Sequence, residues 1–190
     1  MRARDPFGQA LFMLRRMLRD DGLAPGQHLP INDISVALGL SASPVREALS
    51  RLCGEGLVEE RRGLGYFTRA MPTEDIVGLL ELEQAHVELA VRLSPVVVLN
   101  DGAAEDLIVW IRKVVEASGS VPLQESFGRV SSRLDRPRAI LVGTSETDEA
   151  VEGDPVLRVR EAYRAWIGGA RLAADRLRRT PPTVLQIDDQ

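Results

Sequence analysis

The chain contains one cysteine, Cys53, one lysine, Lys113, and two histidines, His28 and His86, and aromatic residues make up only 4% of it. Each shortage excludes something. One cysteine rules out an internal disulfide framework and fits a reducing compartment. One lysine leaves a single position for amine chemistry such as a Schiff base, and that position falls inside an amphipathic segment. No stretch approaches the roughly 18 consecutive apolar residues of a membrane span. The opening Met1-Arg2-Ala3-Arg4-Asp5-Pro6 carries charge but no apolar core, so no secretory signal is expected and the chain reads as cytoplasmic. No Ser-His-Asp or Cys-His constellation, phosphate-binding loop or paired-carboxylate motif stands out. The expectation is a protein that is not an enzyme and needs no cofactor.

What is present is arginine, unevenly placed. The net charge of −4, taken over the whole chain, argues against nucleic acid as a partner. Residues 1–70 nevertheless hold ten arginines against eight acids, whereas residues 71–190 hold fourteen basic residues against twenty acids. The change of sign suggests two parts with different partners.

Residues 9–19 place Leu11, Leu14, Met17 and Leu18 on one helical face. "DDGLAPGQ" (20–27) ends that helix with Gly22 and turns the chain at Pro25-Gly26. His28 falls in this turn, as a cap or exposed. Asn32 is the expected N-cap of a short helix over 33–38, with Ile34, Ala37 and Leu38 facing inward. After the turn "GLS" (39–41), Ser43 is the expected N-cap and Pro44 the first residue of another helix, where the missing N–H costs nothing. Val45, Ala48, Leu49 and Leu52 form its buried stripe, and Gly54 and Gly56 end it. Cys53 reads as packing rather than redox sensing. Two extended segments, 57–61 and 66–69, joined by "RGLG" (62–65), form a hairpin. Three helices and a hairpin in this order make a winged helix-turn-helix.

Beyond "MPT" (71–73), with Thr73 as the expected cap, the pattern is helical throughout. One helix covers about 74–93, with Ile76, Leu79, Leu80 and Leu89 among its apolar positions. A second lies near 103–117, with Ala104, Leu107, Ile108, Ile111, Val114 and Val115 at amphipathic spacing. A third near 123–134 carries Leu123, Phe127, Val130 and Leu134. The acidic segment 143–154 lacks the regular oxygen-ligand spacing of a calcium loop and reads as solvated. The last helix, near 156–179, repeats Val156, Val159, Tyr163, Trp166, Ala170, Ala173 and Leu177, with Gly168-Gly169 marking a kink or a close neighbour. The expected fold is mostly α: a winged helix-turn-helix over 1–71, an all-helical bundle over 72–180 and a frayed tail over 181–190.

The first 70 residues resemble the GntR family of bacterial transcription regulators, through "GLAPGQHL" and "ALGLSASPVREALSRLCGEGLVEERRGLGYF". The run S-x-S-P-V-R-E-A-L, then L-x-x-x-G-L-V and a glycine-containing wing, is a specific pattern. The helical remainder is similar to the FadR-like branch, whose second domain binds an effector and dimerises. Branches with an α/β effector module would need strands after residue 71, and the pattern there has none. The resemblance implies a homodimeric repressor on a pseudo-palindromic double-stranded operator, released or modulated by a small molecule. The alternative is an effector-independent regulator whose second domain only dimerises or binds a protein.

A helix N-terminus suits a phosphate oxygen, because its first N–H groups are unpaired and it carries partial positive charge. Ser41, Ser43 and Pro44 form that front end here, and Arg46, one turn in, reaches for a base edge in the major groove. Arg51 either touches phosphate or solvates the helix. In the wing, Arg61, Arg62, Gly63 and Gly65 are placed to approach the backbone or the minor groove. Two departures stand out. Ala42 occupies a position where the family commonly has arginine, and "INDIS" lacks a basic residue that some relatives use. FadR-like relatives often bind a metal through Asp-x-x-x-His and two further histidines. The nearest match, "QESFGRV", offers Gln124 and Gly128 and no histidine follows His86, so no such metal is expected. His86, Trp110, Tyr163 and Trp166 either line an effector pocket or fill the core.

Overall fold

A computed structural model of the protein describes residues 5–19, 23–93, 107–142 and 155–179. Gly22 as a helix stop, Ala104, the acidic segment 143–154 and the tail from 181 lie outside the described residues. The chain divides into two compact units, the second spanning Pro72–Ala174.

The first unit begins with α1 (Pro6–Arg19), which buries Ala10, Leu14 and Leu18, while Leu11 and Met17 flank the same core. The chain then enters a strand, β1 (His28–Leu29), where the sequence suggested only a turn. Two residues are too few to show alternation, so nothing local announces it. β1 is held from a distance instead. The Thr68 hydroxyl donates to the Ala24 carbonyl and accepts from the Gln27 N–H, and the Gly26 N–H donates to the Thr68 carbonyl. β2 (Val58–Arg61) and β3 (Gly65–Thr68) complete an antiparallel sheet of order β1-β3-β2, with His28 opposite Phe67 and Val58 opposite Thr68.

α2 (Ile31–Leu38) starts two residues before the expected position, and its cap position is Pro30 rather than Asn32. The Pro30 carbonyl accepts the Ile34 N–H, and Asn32 sits inside the helix with its carbonyl accepting the Ser35 hydroxyl. Proline fixes the extended backbone from which the helix departs. Ile34 is buried, and Ala37 and Leu38 are half-buried. Gly39, at φ 62°, ends the helix in the left-handed region, donating to Val36 while Leu40 donates back to Ser35.

α3 (Ala42–Gly54) likewise begins earlier than expected: Ser41, not Ser43, is the N-cap, and Pro44 stands third in the helix. Its missing N–H is still one the first turn leaves without an intrahelical acceptor, so the shift costs nothing. Val45, Ala48, Leu49 and Leu52 are fully buried against α1 and the sheet.

The second unit contains α4 (Thr73–Leu93), α5 (Leu107–Ala117), α6 (Val121–Val142) and α7 (Pro155–Arg179) as far as Ala174. Thr73 is the first helical residue rather than the cap; the Pro72 carbonyl accepts the Ile76 N–H. α6 continues well past the expected 134, through Pro137. A proline there removes one backbone bond at a cost of roughly 3 kcal/mol. Burial of the apolar Leu134 and Leu141 on either side of it offsets that cost. No helix among the described residues is long and apolar enough to cross a membrane.

The glycine pair in α7 does not break the helix but admits a neighbour. A Cβ on Gly169 would lie 2.8 Å from Leu141 Cδ2, whereas one on Gly168 meets nothing within 4 Å. Gly168→Ala is therefore expected to raise stability by about 0.5–1 kcal/mol, the usual helical gain. Gly169→Ala is expected to lose about 1 kcal/mol net, because Leu141 must shift in a filled core. Thermal denaturation of the two variants checks the ordering, and a Gly169→Ala protein as stable as Gly168→Ala would contradict it.

Candidate nucleic-acid interface

The front of α3 offers donors that the protein leaves uncommitted. Ser41 is extended (φ −76°, ψ 163°) and its side chain makes no capping hydrogen bond. Ser41 and Ser43 are exposed and Pro44 is half-buried beside them. The first-turn N–H groups have no intrahelical acceptor, so an anion placed there meets both backbone and hydroxyl donors. Arg46 is exposed on the next turn, and the residues three and four positions away are Ala42, Ser43, Leu49 and Ser50, none of them acidic. No ion pair joins Arg46 to another described residue.

Arg51 is placed differently. It lies toward the other end of α3, its Nε 2.8 Å from Glu55 Oε1, and Arg15 of α1 pairs with both oxygens of the same carboxylate at 2.8 Å. Glu55 thus joins α1 to the end of α3 and draws Arg51 away from the front. Tyr66 of β3 brings its phenol close to the Ser50 side chain of α3, where helix and wing meet. Burial and the nearby Glu60 carboxylate raise the Tyr66 pKa above the ordinary range, so the phenol stays neutral.

In the wing the two arginines separate. Arg61 ends β2 with its guanidinium 4.2 Å from the centre of the Phe67 ring and paired with Glu59, while His28 approaches the same ring at 4.9 Å. Arg62 is exposed in the turn itself. Gly63 (φ 76°) and Gly65 (φ 93°) hold that turn in a conformation which side chains resist. A Cβ at Gly65 would also come within 3.3 Å of His28 Nε2. Leu64, between these glycines, is 65% exposed at the tip; the sequence reading passed over it.

In the helical unit the four proposed pocket residues do not converge. Tyr163 and Trp166 meet edge to face at 5.0 Å in the core. Trp110 is buried on α5. His86 is half-buried elsewhere on α4, its Nδ1 2.6 Å from the Leu82 carbonyl and its Nε2 2.8 Å from Ser126 Oγ. Around Tyr163 lies a polar group that the sequence reading missed. Glu83, fully buried on α4, accepts from the Arg138 guanidinium and from the Tyr163 hydroxyl (2.8 Å), and Arg138 also donates to Ser131 at 3.3 Å. Desolvation and the adjacent Glu83 charge push the Tyr163 pKa far up, so it remains a donor. Glu83 Oε1, Arg138 Nε and Trp166 Nε1 have no hydrogen-bond partner among the described residues. A signal for Glu83 did exist, a lone acid on the apolar line Ile76, Leu80, Val87, Ala90. Gln124 and Gly128 line an open groove between α5 and α6, with Arg112, Phe127 and Ser131. Among the described residues no three of His, Cys, Asp or Glu gather as metal ligands would.

Residues 8–67 match the sequence model of the bacterial regulatory proteins of the gntR family. The Nta operon transcriptional regulator of Aminobacter aminovorans is 26% identical over 146 residues, covering 75% of this chain and 65% of that protein. An HTH-type transcriptional regulator from an unstable DNA locus of Streptomyces ambofaciens is 32% identical over 127 residues, 64% of this chain and 52% of its own length. The match thus spans less than two thirds of either relative. Among solved structures, a GntR regulator from Rhodococcus sp. RHA1 superposes with a TM-score of 0.58 at 22% identity, covering 92% of both chains. McbR/YncC of E. coli gives 0.53 at 18% identity, covering 93% of this chain and 95% of that one. At these identities the structures speak for the fold, a winged helix-turn-helix followed by helices.

Proposed function

We propose that this chain, which belongs to the gntR family of DNA-binding bacterial regulators, is a cytoplasmic homodimeric repressor of transcription. Residues 1–71 of each copy read one half of a pseudo-palindromic operator, and residues 72–180 dimerise and respond to a small molecule. The observation that carries the DNA reading is the front of α3, where uncapped donors surround an arginine that forms no ion pair among the described residues. Ser41, Ser43 and the N–H groups beside Pro44 take a phosphate, and Arg46 reads a base in the major groove. The Arg62–Gly63–Leu64–Gly65 turn approaches the adjacent backbone or minor groove. Arg51 and Arg61, both held by acids, add charge near the interface rather than direct readout.

Selection of bound DNA from a random pool tests this reading. A two-fold motif with half-sites about one helical turn apart is expected, and recovery of no motif would end the proposal. A finer expectation concerns Arg62. Arg62→Ala should weaken binding to all sequences alike and lower the slope of log affinity against log salt by about one, without changing the selected motif. Binding titrations at several salt concentrations measure it.

The polar atoms left without partners around Tyr163 and Trp166 support a bound effector. A thermal-shift screen with organic acids and metal salts tests that part separately. The compact burial of Glu83 and Arg138 against each other favours the second reading, in which the helical unit only dimerises or holds a protein partner. A screen in which no compound raises the melting temperature or shifts operator affinity decides for it.

A further inference from the structure

The tip of the wing carries a leucine where turns between paired strands usually carry small or polar residues. Leu64 is 65% exposed, and its N–H donates to the Arg61 carbonyl at 2.9 Å, closing the turn behind it. A lone exposed leucine is ordinary on a protein surface. The surroundings of Leu64 are what distinguish it. Glycines flank it on both sides, at φ 76° and 93°, and a Cβ on Gly63 would meet nothing within 4 Å. The tip is therefore one apolar side chain on a thin backbone, slim enough for a minor groove about 6 Å wide. Its base is braced. Arg61 lies over the Phe67 ring and pairs with Glu59, and His28 rests against the same ring. The turn itself carries a single charge, on exposed Arg62.

We propose that Leu64 is an apolar wedge, which enters the minor groove beside each half-site, unstacks a base step there and bends the DNA. The inference rests on the DNA-binding reading above and gives the wing a part in specificity. An arginine or lysine at the tip would be drawn to the narrow, strongly negative minor groove of an A-tract. Leucine gains nothing from that potential. Its gain comes from leaving water between parted bases. Pyrimidine–purine steps such as TA and CA part most easily, so the wedge favours them at positions that Arg46 does not read. Arg62, beside it, holds phosphate at the groove edge while the tip is inside. The braced base matters because a loose tip would yield to the base stack instead of opening it.

Selection of bound DNA by the full chain, followed by a bend measurement on the selected duplex labelled at both ends for energy transfer, tests the assignment. The wild type is expected to enrich pyrimidine–purine steps beside each half-site and to bend the duplex by roughly 20–90°. Leu64→Ala is expected to lose that enrichment and the bend, and to bind about tenfold more weakly. Its salt slope and melting temperature should stay at the wild-type values, because no charge is removed and the site is exposed. Leu64→Arg is expected to move the flanking preference to A-tracts. A Leu64→Ala protein that keeps the bend and the flanking steps overturns the wedge and leaves DNA binding intact. A wild-type complex on straight DNA does the same, even where the leucine adds affinity. Recovery of no motif overturns the DNA-binding reading and the wedge together.

Discussion

Replacing Arg138 by methionine is expected to destabilise the helical unit by about 3–5 kcal/mol, the cost of stranding a buried charge. Glu83 is 1% exposed, and among the described residues Arg138 supplies the only positive charge bonded to it. Without the guanidinium, Oε2 keeps the Tyr163 hydroxyl, but one neutral donor cannot stand in for a counterion. Oε1 already lacks a partner, so the carboxylate has nothing in reserve. Methionine replaces the aliphatic stem of arginine and stops two atoms short of the guanidinium nitrogens, so it keeps the packing along the stem and the loss mainly electrostatic. The double variant Glu83→Leu/Arg138→Met, with both charges gone, is expected to recover part of the loss, because well-packed apolar residues often replace a buried pair at little cost. The recovery is partial because the Tyr163 hydroxyl is left without its acceptor. Urea unfolding of the two variants measures the difference. If the double variant proves no more stable than the single, the stranded charge is not what matters here.

This network also marks where sequence reasoning reached its limit. Glu83 and Arg138 lie 55 positions apart, and no local pattern pairs them. The apolar spacing placed one helix near 123–134, whereas that helix, α6, runs on through Pro137 to Val142. Helix starts were misplaced for a related reason. Asn32 and Ser43 looked like caps from their side chains, yet backbone geometry at Pro30 and Ser41 opens the helices without any side-chain cap bond. By contrast, the stripe Val45, Ala48, Leu49, Leu52 and the glycines of the wing were legible, because periodicity and positive φ are local demands. The candidate residues at the front of α3 could be gathered from the sequence for the same reason: its serines, its proline and Arg46 fall within six consecutive residues. The proposed pocket was not, since Tyr163, Trp166, Trp110 and His86 share only residue type, and packing sends them to different places.

Arg46→Ala is expected to reduce affinity for the selected operator by about 5- to 150-fold, corresponding to the roughly 1–3 kcal/mol of a bidentate contact to guanine. Binding to unrelated DNA should fall much less. Because Arg46 has no ion pair with described residues, its removal should leave the melting temperature nearly unchanged, as expected for an exposed site without partners. A loss of binding can then be assigned to the contact rather than to the fold. Arg46→Lys separates charge from geometry. Lysine keeps the positive charge and so the salt dependence, but it lacks the planar fork that meets O6 and N7 together. The expected result is a lysine variant with wild-type salt slope and relaxed preference at one base position per half-site. Arg62→Ala should behave in the opposite way, with a reduced slope and an intact motif. The two arginines thus form a pair of controls, one at the front of α3 and one in the wing. Selected motifs identical for wild type and Arg46→Ala would remove the base-reading role, leaving the donors of Ser41, Ser43 and the helix N-terminus as a phosphate clamp only.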